Sequence, residues 1–93
     1  MAAQEFLFEI ELCGPVPSRD LLSDLACQVF AQAGCSNADL PAIVDALHSA
    51  VTGCVSAGEA CCGLRFLAHA GELDIDVTSS GGGRIWHASR RRA

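Results

Sequence analysis

The stretch Leu64-Arg-Phe-Leu-Ala-His-Ala-Gly-Glu-Leu-Asp-Ile-Asp-Val77 contains two short runs in which apolar residues recur at every second position. Alternation with this period is typical of a β-strand that buries one face and exposes the other. The runs meet at Ala70-Gly71-Glu72, where glycine permits a tight reversal of the chain. We therefore predict a β-hairpin, with Asp74 and Asp76 on the polar face of its second strand.

A further strand and two helices precede this hairpin. Apolar and acidic residues alternate near the start of the chain, which predicts an amphipathic strand that ends before Gly14-Pro15. Its apolar side chains are Phe6, Phe8, Ile10 and Leu12. Ser18 can cap a first helix that closes at Gly34, and Asp39 can cap a second helix with Pro41 in its first turn. The apolar residues at helical spacing are Leu22, Leu25, Ala26, Val29 and Phe30 in the first helix, and Ile43, Val44, Leu47, Ala50, Val51, Cys54 and Val55 in the second.

The order of these elements, β-α-α-β-β, predicts an α+β fold of two layers, in which two helices pack on one face of a single sheet. We expect three or four strands, the fourth being a brief strand at Arg84-Ile-Trp-His87. A chain of 93 residues suits one domain, so we assign residues 1–93 to a single domain. Residues 84–93, which include Arg90, Arg91 and Arg92, are expected to form a partly flexible basic tail.

Composition limits the partners and the compartment that the chain can have. Hydrophobic residues make up 51% of it and charged residues 18%, which favours a packed domain over a disordered segment. The net charge of −5 argues against a general attraction to nucleic-acid phosphates. No apolar run has the length of a membrane span, and no basic region followed by an apolar run marks a secretory signal. We therefore expect a cytoplasmic protein whose six cysteines are reduced thiols.

The hairpin continues into Val77-Thr-Ser-Ser-Gly-Gly-Gly83, and the second helix contains Ser49-Ala-Val-Thr-Gly53. Together with the order of elements, these segments resemble the gyrase and histidine-kinase type ATPases, and most closely the bacterial anti-sigma factor kinases. That family has Val-x-Asp-x-Gly-x-Gly after a strand and Glu-x-x-x-Asn on a preceding helix. The resemblance covers about residues 5–83 and does not include the family's ATP lid.

The resemblance assigns nucleotide-site positions to five residues, and at three of them the family's polar residue is replaced. Ser49 stands for the Glu that positions a water or hydroxyl, Gly53 for the Asn that holds magnesium, and Ser79 for the Asp that binds adenine. Gly81 and Gly83 match the glycines of the turn, which show only that the backbone bends. We therefore expect a degenerate nucleotide site that takes no cofactor and has no catalytic residue.

These observations favour a non-catalytic regulatory domain that binds another protein. The resemblance implies a sigma factor, its antagonist or a second copy of the chain as the partner. We expect a homo-oligomer, with the strand that carries Phe6, Phe8, Ile10 and Leu12 as the interface, because an unpaired strand edge offers free backbone groups.

Two alternatives belong to other classes. One is a small thiol-dependent or metal-binding enzyme that uses Cys35, or His69 with Cys54, Cys61 and Cys62. We predict no metal site, because adjacent cysteines point apart on a regular element and no Cys-x-x-Cys is present. The other alternative is an intact anti-sigma kinase that binds ATP.

Overall fold

The fold is known from a computed structural model that describes residues 5–92. It contains four strands and two helices in the order β-α-α-β-β-β, which confirms the predicted α+β class. The elements are β1 (Phe6–Cys13), α1 (Arg19–Ala33), α2 (Leu40–Ser56), β2 (Cys61–His69), β3 (Glu72–Ser79) and β4 (Arg84–Arg91). No helix among these residues is both long enough and apolar enough to cross a membrane.

The strands form one antiparallel sheet in the order β1-β2-β3-β4, so β1 and β4 are its two edges. The predicted hairpin is β2–β3, in which His69 lies opposite Glu72 and Phe66 opposite Ile75. Gly71 has a φ of 76°, a backbone conformation that glycine adopts without strain and that closes this short turn. The register between β3 and β4 shifts between Val77 and Thr78, which marks a β-bulge.

The predicted caps of α1 are confirmed, whereas Asp39 precedes α2 without a side-chain capping hydrogen bond and Ala57 follows its last residue. The Ser18 hydroxyl accepts a hydrogen bond from the Leu21 N–H at 3.1 Å, and Gly34, with a φ of 75°, ends α1. Pro41 lies in the first turn of α2, where its missing N–H has no helical acceptor to lose. The apolar faces of both helices pack on one side of the sheet. We call this side the covered face and the opposite side the open face.

The core lies between the helices and the covered face. Its most buried large side chains include Phe30 from α1, Leu47 from α2, and Phe66 and Ile75 from the sheet, all of them inaccessible to solvent. Burial of side chains of this size supplies most of the favourable free energy of folding. The β1 residues Phe6, Phe8, Ile10 and Leu12 also lie on the covered face, half-buried against this core.

The structure corrects the expectation of a basic tail, because Arg84–Arg91 is a complete strand. Trp86 and Ala88 alternate onto the covered face and pack against the core, which supplies the burial that a tail would lack. Arg92 then anchors the end of the strand. Its N–H donates to the Gly71 carbonyl at 2.9 Å and its Nε donates to the Ala33 carbonyl at 2.8 Å.

The structure also corrects the expectation of six reduced cysteines, because Cys13 and Cys61 form a disulfide. The two residues are directly opposite each other in the β1–β2 register, with their Cα atoms 4.2 Å apart. Both side chains are on the same face of the sheet, so no backbone movement is needed to join them. The other described cysteines, Cys27, Cys35, Cys54 and Cys62, are free.

Candidate functional site

The residues assigned to the degenerate nucleotide site lie on two elements. Ser49 and Gly53 are exposed and one helical turn apart on α2. Ser79 ends β3, and Gly81 and Gly83 belong to the turn that joins β3 to β4. The fold therefore keeps the turn residues together, while the helix pair presents one hydroxyl and no other side-chain ligand.

The glycine turn is closed by its own hydrogen bonds. The Ser79 N–H donates to the Gly83 carbonyl at 2.8 Å, and the Gly82 N–H donates to the Ser79 carbonyl at 2.9 Å. The Ser79 hydroxyl accepts from the Gly83 N–H at 3.2 Å. Gly82, with a φ of 89°, is the residue of this turn whose conformation requires glycine. Ser79 therefore stabilises the hairpin turn, a role that the sequence resemblance did not indicate.

Glu59, which sequence reasoning did not single out, connects the end of α2 to this turn. Its Oε1 atom accepts from the Ser80 N–H at 3.1 Å and from the Ser80 hydroxyl at 3.0 Å. These are the kind of donors that would otherwise face an anion at such a turn. The Glu59 carboxylate therefore occupies both Ser80 donors and adds a negative charge beside the turn, which would repel phosphate.

The open face carries a chain of polar contacts that spans three strands. His69 Nε2 lies 2.6 Å from Asp74 Oδ2, and the Ser89 hydroxyl donates to Asp74 Oδ1 at 2.6 Å. His87 Nε2 lies 3.3 Å from Ser89 Oγ, and His87 Nδ1 lies 2.7 Å from Asp76 Oδ1. Asp76 is 8% exposed and also contacts the Arg84 guanidinium, with Nε at 3.2 Å. Buried carboxylates need partners of this kind, because an unpaired charge is costly to remove from water.

Ser89, His87 and Asp76 follow the order of a hydrolytic triad, but the donor pattern does not support a nucleophile. The Ser89 proton is directed to Asp74, which is closer than His87 and is already charged. The pKa of Asp74 is held below its ordinary value mainly by this Ser89 bond and further by His69. His87 could take the Ser89 proton only after the Ser89 hydroxyl gave up its hydrogen bond to Asp74, so this geometry does not align Ser89 as a nucleophile.

Of the free cysteines that the structure describes, Cys27 is exposed, whereas Cys54 and Cys62 are buried. Cys54 and Cys62 are buried beneath the covered face, and Cys61 is joined to Cys13. Burial, together with the hydrogen bond to Cys54, raises the pKa of Cys62 to about 11. Burial also raises the pKa of Cys35. A thiol whose pKa is raised carries little of the nucleophilic thiolate at neutral pH.

His69 approaches carboxylates rather than the cysteines with which the metal alternative grouped it. Ligand atoms of His69, Glu72 and Asp74 lie within 4.8 Å of one another on the open face. Among the described residues, the other such group is Glu11, Cys13 and Cys61, whose sulfurs are used in the disulfide. The His69 group is partly exposed, and the His69–Asp74 contact already pairs two of its three members.

An apolar groove lies between the edge strand β1 and helix α1. Its volume is 470 Å³, and it is lined by Phe6, Leu7, Phe8, Leu25, Gln28, Val29 and Gln32. Leu7, which contributes to this lining from the β1 edge, is 51% exposed. Two of the four predicted interface residues, Phe6 and Phe8, thus reach solvent through this groove. The unpaired edge of β1 and the accessible apolar surface of the groove therefore lie side by side.

Comparison with known proteins gave no match to a family model, to a curated protein or to a solved structure.

Proposed function

We propose that the chain is a non-catalytic regulatory domain that binds a protein partner through β1 and the groove beside α1. The observation that carries this proposal is the coincidence of a free strand edge with that apolar groove. A strand edge supplies backbone hydrogen bonds to an extended segment, and a neighbouring pocket supplies affinity for its side chains.

The contacts in the glycine turn support a role without nucleotide. Ser79 and Ser80 already use their polar groups within the protein, and Glu59 adds a negative charge beside them. The partner classes proposed from the sequence are a sigma factor, its antagonist or a second copy of the chain. The cytoplasm is the proposed location. The four free cysteines favour it, and the Cys13–Cys61 bridge argues for a more oxidising compartment.

Site-specific photo-crosslinking in the organism of origin tests the binding surface. A photoreactive residue at Leu7 is expected to capture a defined partner, which mass spectrometry then identifies. The same residue at Ser49, an exposed position of α2, is the matched control. Capture from Ser49 with none from Leu7 would move the binding surface to α2 and overturn the proposal.

Calorimetry with magnesium and ATP tests the absence of nucleotide chemistry. We expect no saturable heat at micromolar protein concentration. A one-site isotherm that weakens in the Ser79→Ala variant would instead restore the alternative of an intact anti-sigma kinase.

A further inference from the structure

The free edge of β1 combines a row of exposed glutamates with an apolar groove. We propose that this edge binds an extended segment of a partner protein in which basic and apolar residues alternate. The basic side chains face the glutamates of β1, and the apolar side chains enter the groove beside α1. The inference rests on the proposed function, because it specifies the partner segment for the same surface.

The first argument is the direction of the backbone groups on β1. In antiparallel strands, residues alternate between bonding to the neighbour and pointing away from it; opposed residues that do not exchange hydrogen bonds lie about 4.5 Å apart, and bonded ones about 5.5 Å apart. The Cα atoms of Cys13 and Cys61 are 4.2 Å apart, so Cys13 directs its N–H and carbonyl groups away from β2. By alternation, the backbone groups of Leu7, Glu9 and Glu11 also point outward.

Hydrogen bonds at the ends of β3 lead to the same alternation. The Ser79 N–H bonds to the Gly83 carbonyl and the Arg92 N–H to the Gly71 carbonyl, so odd-numbered residues of β3 point toward β4. Its even-numbered residues then bond to odd-numbered residues of β2, and even-numbered residues of β2 bond to even-numbered residues of β1. The odd-numbered residues of β1 are therefore the ones with unused backbone groups.

The second argument is charge. Glu5, Glu9 and Glu11 are exposed along this edge, and within residues 5–92 none of the three is in an ion pair. Arg65 lies opposite Glu9 on β2, but these two side chains do not form a salt bridge either. Opposite charges across paired strands stabilise the pairing and like charges oppose it. The β1 edge therefore favours a strand that carries lysine or arginine opposite its glutamates.

The third argument is the position of the groove. Phe6 and Phe8 are half-buried on the covered face, and they line the groove together with Leu25 and Val29 of α1. Side chains of a strand alternate between the two faces of its sheet. In a strand added to β1, the residues beside Phe6 and Phe8 therefore point into the groove, where burial favours apolar side chains.

The two sets of positions together define the pattern of the bound segment. Basic residues lie opposite Glu9 and Glu11, and apolar residues lie between them, beside Phe8 and Ile10. This pattern repeats every second residue, as in a strand. A helix repeats about every 3.6 residues, so a helical segment of the same composition cannot place its basic and apolar residues in this way.

A second copy of the chain does not offer such a segment at the edges of its sheet. Pairing two β1 strands about a two-fold axis placed anywhere from Leu7 to Glu11 sets a glutamate against a glutamate, which opposes the contact. The β4 edge is occupied at its end, because Cys35 forms an antiparallel bridge with Arg92. The bound segment therefore belongs to a different protein.

Binding of three synthetic peptides to the intact chain, followed by fluorescence anisotropy, tests the inference. The first peptide is Lys-Val-Lys-Val-Lys-Val-Lys. The second has glutamate in place of every lysine, and the third has the residues of the first grouped into one block of valines and one of lysines. We expect the first peptide to bind at least about tenfold more tightly than the other two. Equal binding of all three, or no binding of the first, would overturn the inference.

Variants of β1 separate the contribution of charge from that of backbone pairing. Glu9→Lys should weaken binding of the lysine peptide and strengthen binding of the glutamate peptide. The matched control is Glu72→Lys, an equal change of charge at an exposed position of β3, which should leave both affinities unchanged. Equal loss in the two variants would mean that only net charge matters, which contradicts a site on β1.

Glu9→Pro removes an outward N–H from β1 and should abolish binding of the lysine peptide. Binding that survives in this variant, with its fold confirmed by circular dichroism, overturns the inference. Should the variant unfold, amide exchange of the wild type gives the same test, because the lysine peptide must protect the Leu7 and Glu9 amides.

The cross-link from Leu7 distinguishes the inference from the proposed function. If the captured segment of the partner is acidic or helical, or belongs to a second copy of the chain, the proposed binding surface stands and the inference fails. If the lysine peptide binds as expected while Leu7 captures no partner, the chemistry of the edge stands and the proposed function fails.

Discussion

The two faces of the sheet are stabilised by different interactions, apolar packing on the covered face and hydrogen bonds on the open face. On the covered face, Leu64, Phe66 and Ile75 are no more than 1% exposed and meet only apolar neighbours in the core. On the open face, Asp74 and Asp76 stay partly hydrated and are held by directional bonds from β4. Apolar burial does not depend on the orientation of the contacts, and it supplies most of the free energy of folding. Hydrogen bonds of the polar network do depend on geometry, so they favour one alignment of adjacent strands. With both faces thus satisfied, unused backbone bonding capacity of the sheet lies along its β1 edge, since the end of the β4 edge pairs with Cys35.

Removing a large side chain from the covered face should have the largest effect. We expect Phe66→Ala to lower the free energy of unfolding by about 3–5 kcal/mol, because the cavity adds to the lost burial. Leu67→Ala, one position along on the open face, should cost about 1 kcal/mol or less. Urea unfolding followed by circular dichroism gives both values. Similar losses for the two variants would mean that the faces are not distinct.

Loss of the disulfide should have the next largest effect. Cys13 and Cys61 are 48 residues apart, so the bridge restricts a large loop in the unfolded chain. Cys13→Ser should destabilise the protein by about 3 kcal/mol, and Cys27→Ser, which alters an exposed free thiol, by much less. Thermal unfolding with and without reductant measures the same quantity. A wild type that is insensitive to reductant would show that the bridge does not form in solution.

We expect the smallest effect from Asp74, whose lowered pKa makes the free energy of unfolding depend on pH in the acid range. Because this pKa is lower in the folded state, the stabilisation is present above the unfolded pKa of about 3.9. It is lost as the pH falls through the lower folded value. Ser89→Ala removes the main cause, so the Asp74 pKa measured by NMR should rise toward its ordinary value. If the Asp74 pKa is the same in the Ser89→Ala variant, the contact with His69 is the cause of the lowered pKa instead.

Periodicity was sufficient to predict the architecture. The hairpin alternation, the β1 alternation and the helical spacing each reflect local burial, so β1, α1, α2, β2 and β3 were all expected. Strand β4 was expected only as a brief strand or a tail, because its run of arginines hides the alternation of Trp86 and Ala88. Their burial becomes apparent only when β3 lies beside them.

The contacts that define the candidate sites depend on long-range register, which single-sequence patterns do not encode. The Cys13–Cys61 bridge requires that β1 and β2 align at one particular position. The open-face network draws His69, Asp74 and His87 from three strands. The turn at Ser79–Gly83 was predicted from its glycines, but the Glu59 contact that neutralises its donors was not.

Amide hydrogen exchange followed by NMR reports on the edges residue by residue. At low protein concentration, the Phe8 and Ile10 amides should exchange slowly, and the Leu7 and Glu9 amides should exchange fast. When the partner captured from Leu7 is added, the Leu7 and Glu9 amides should become protected, because an extended segment of the partner pairs with the β1 edge. Fast exchange of the Leu7 and Glu9 amides in the complex with that partner is the result that our account does not allow.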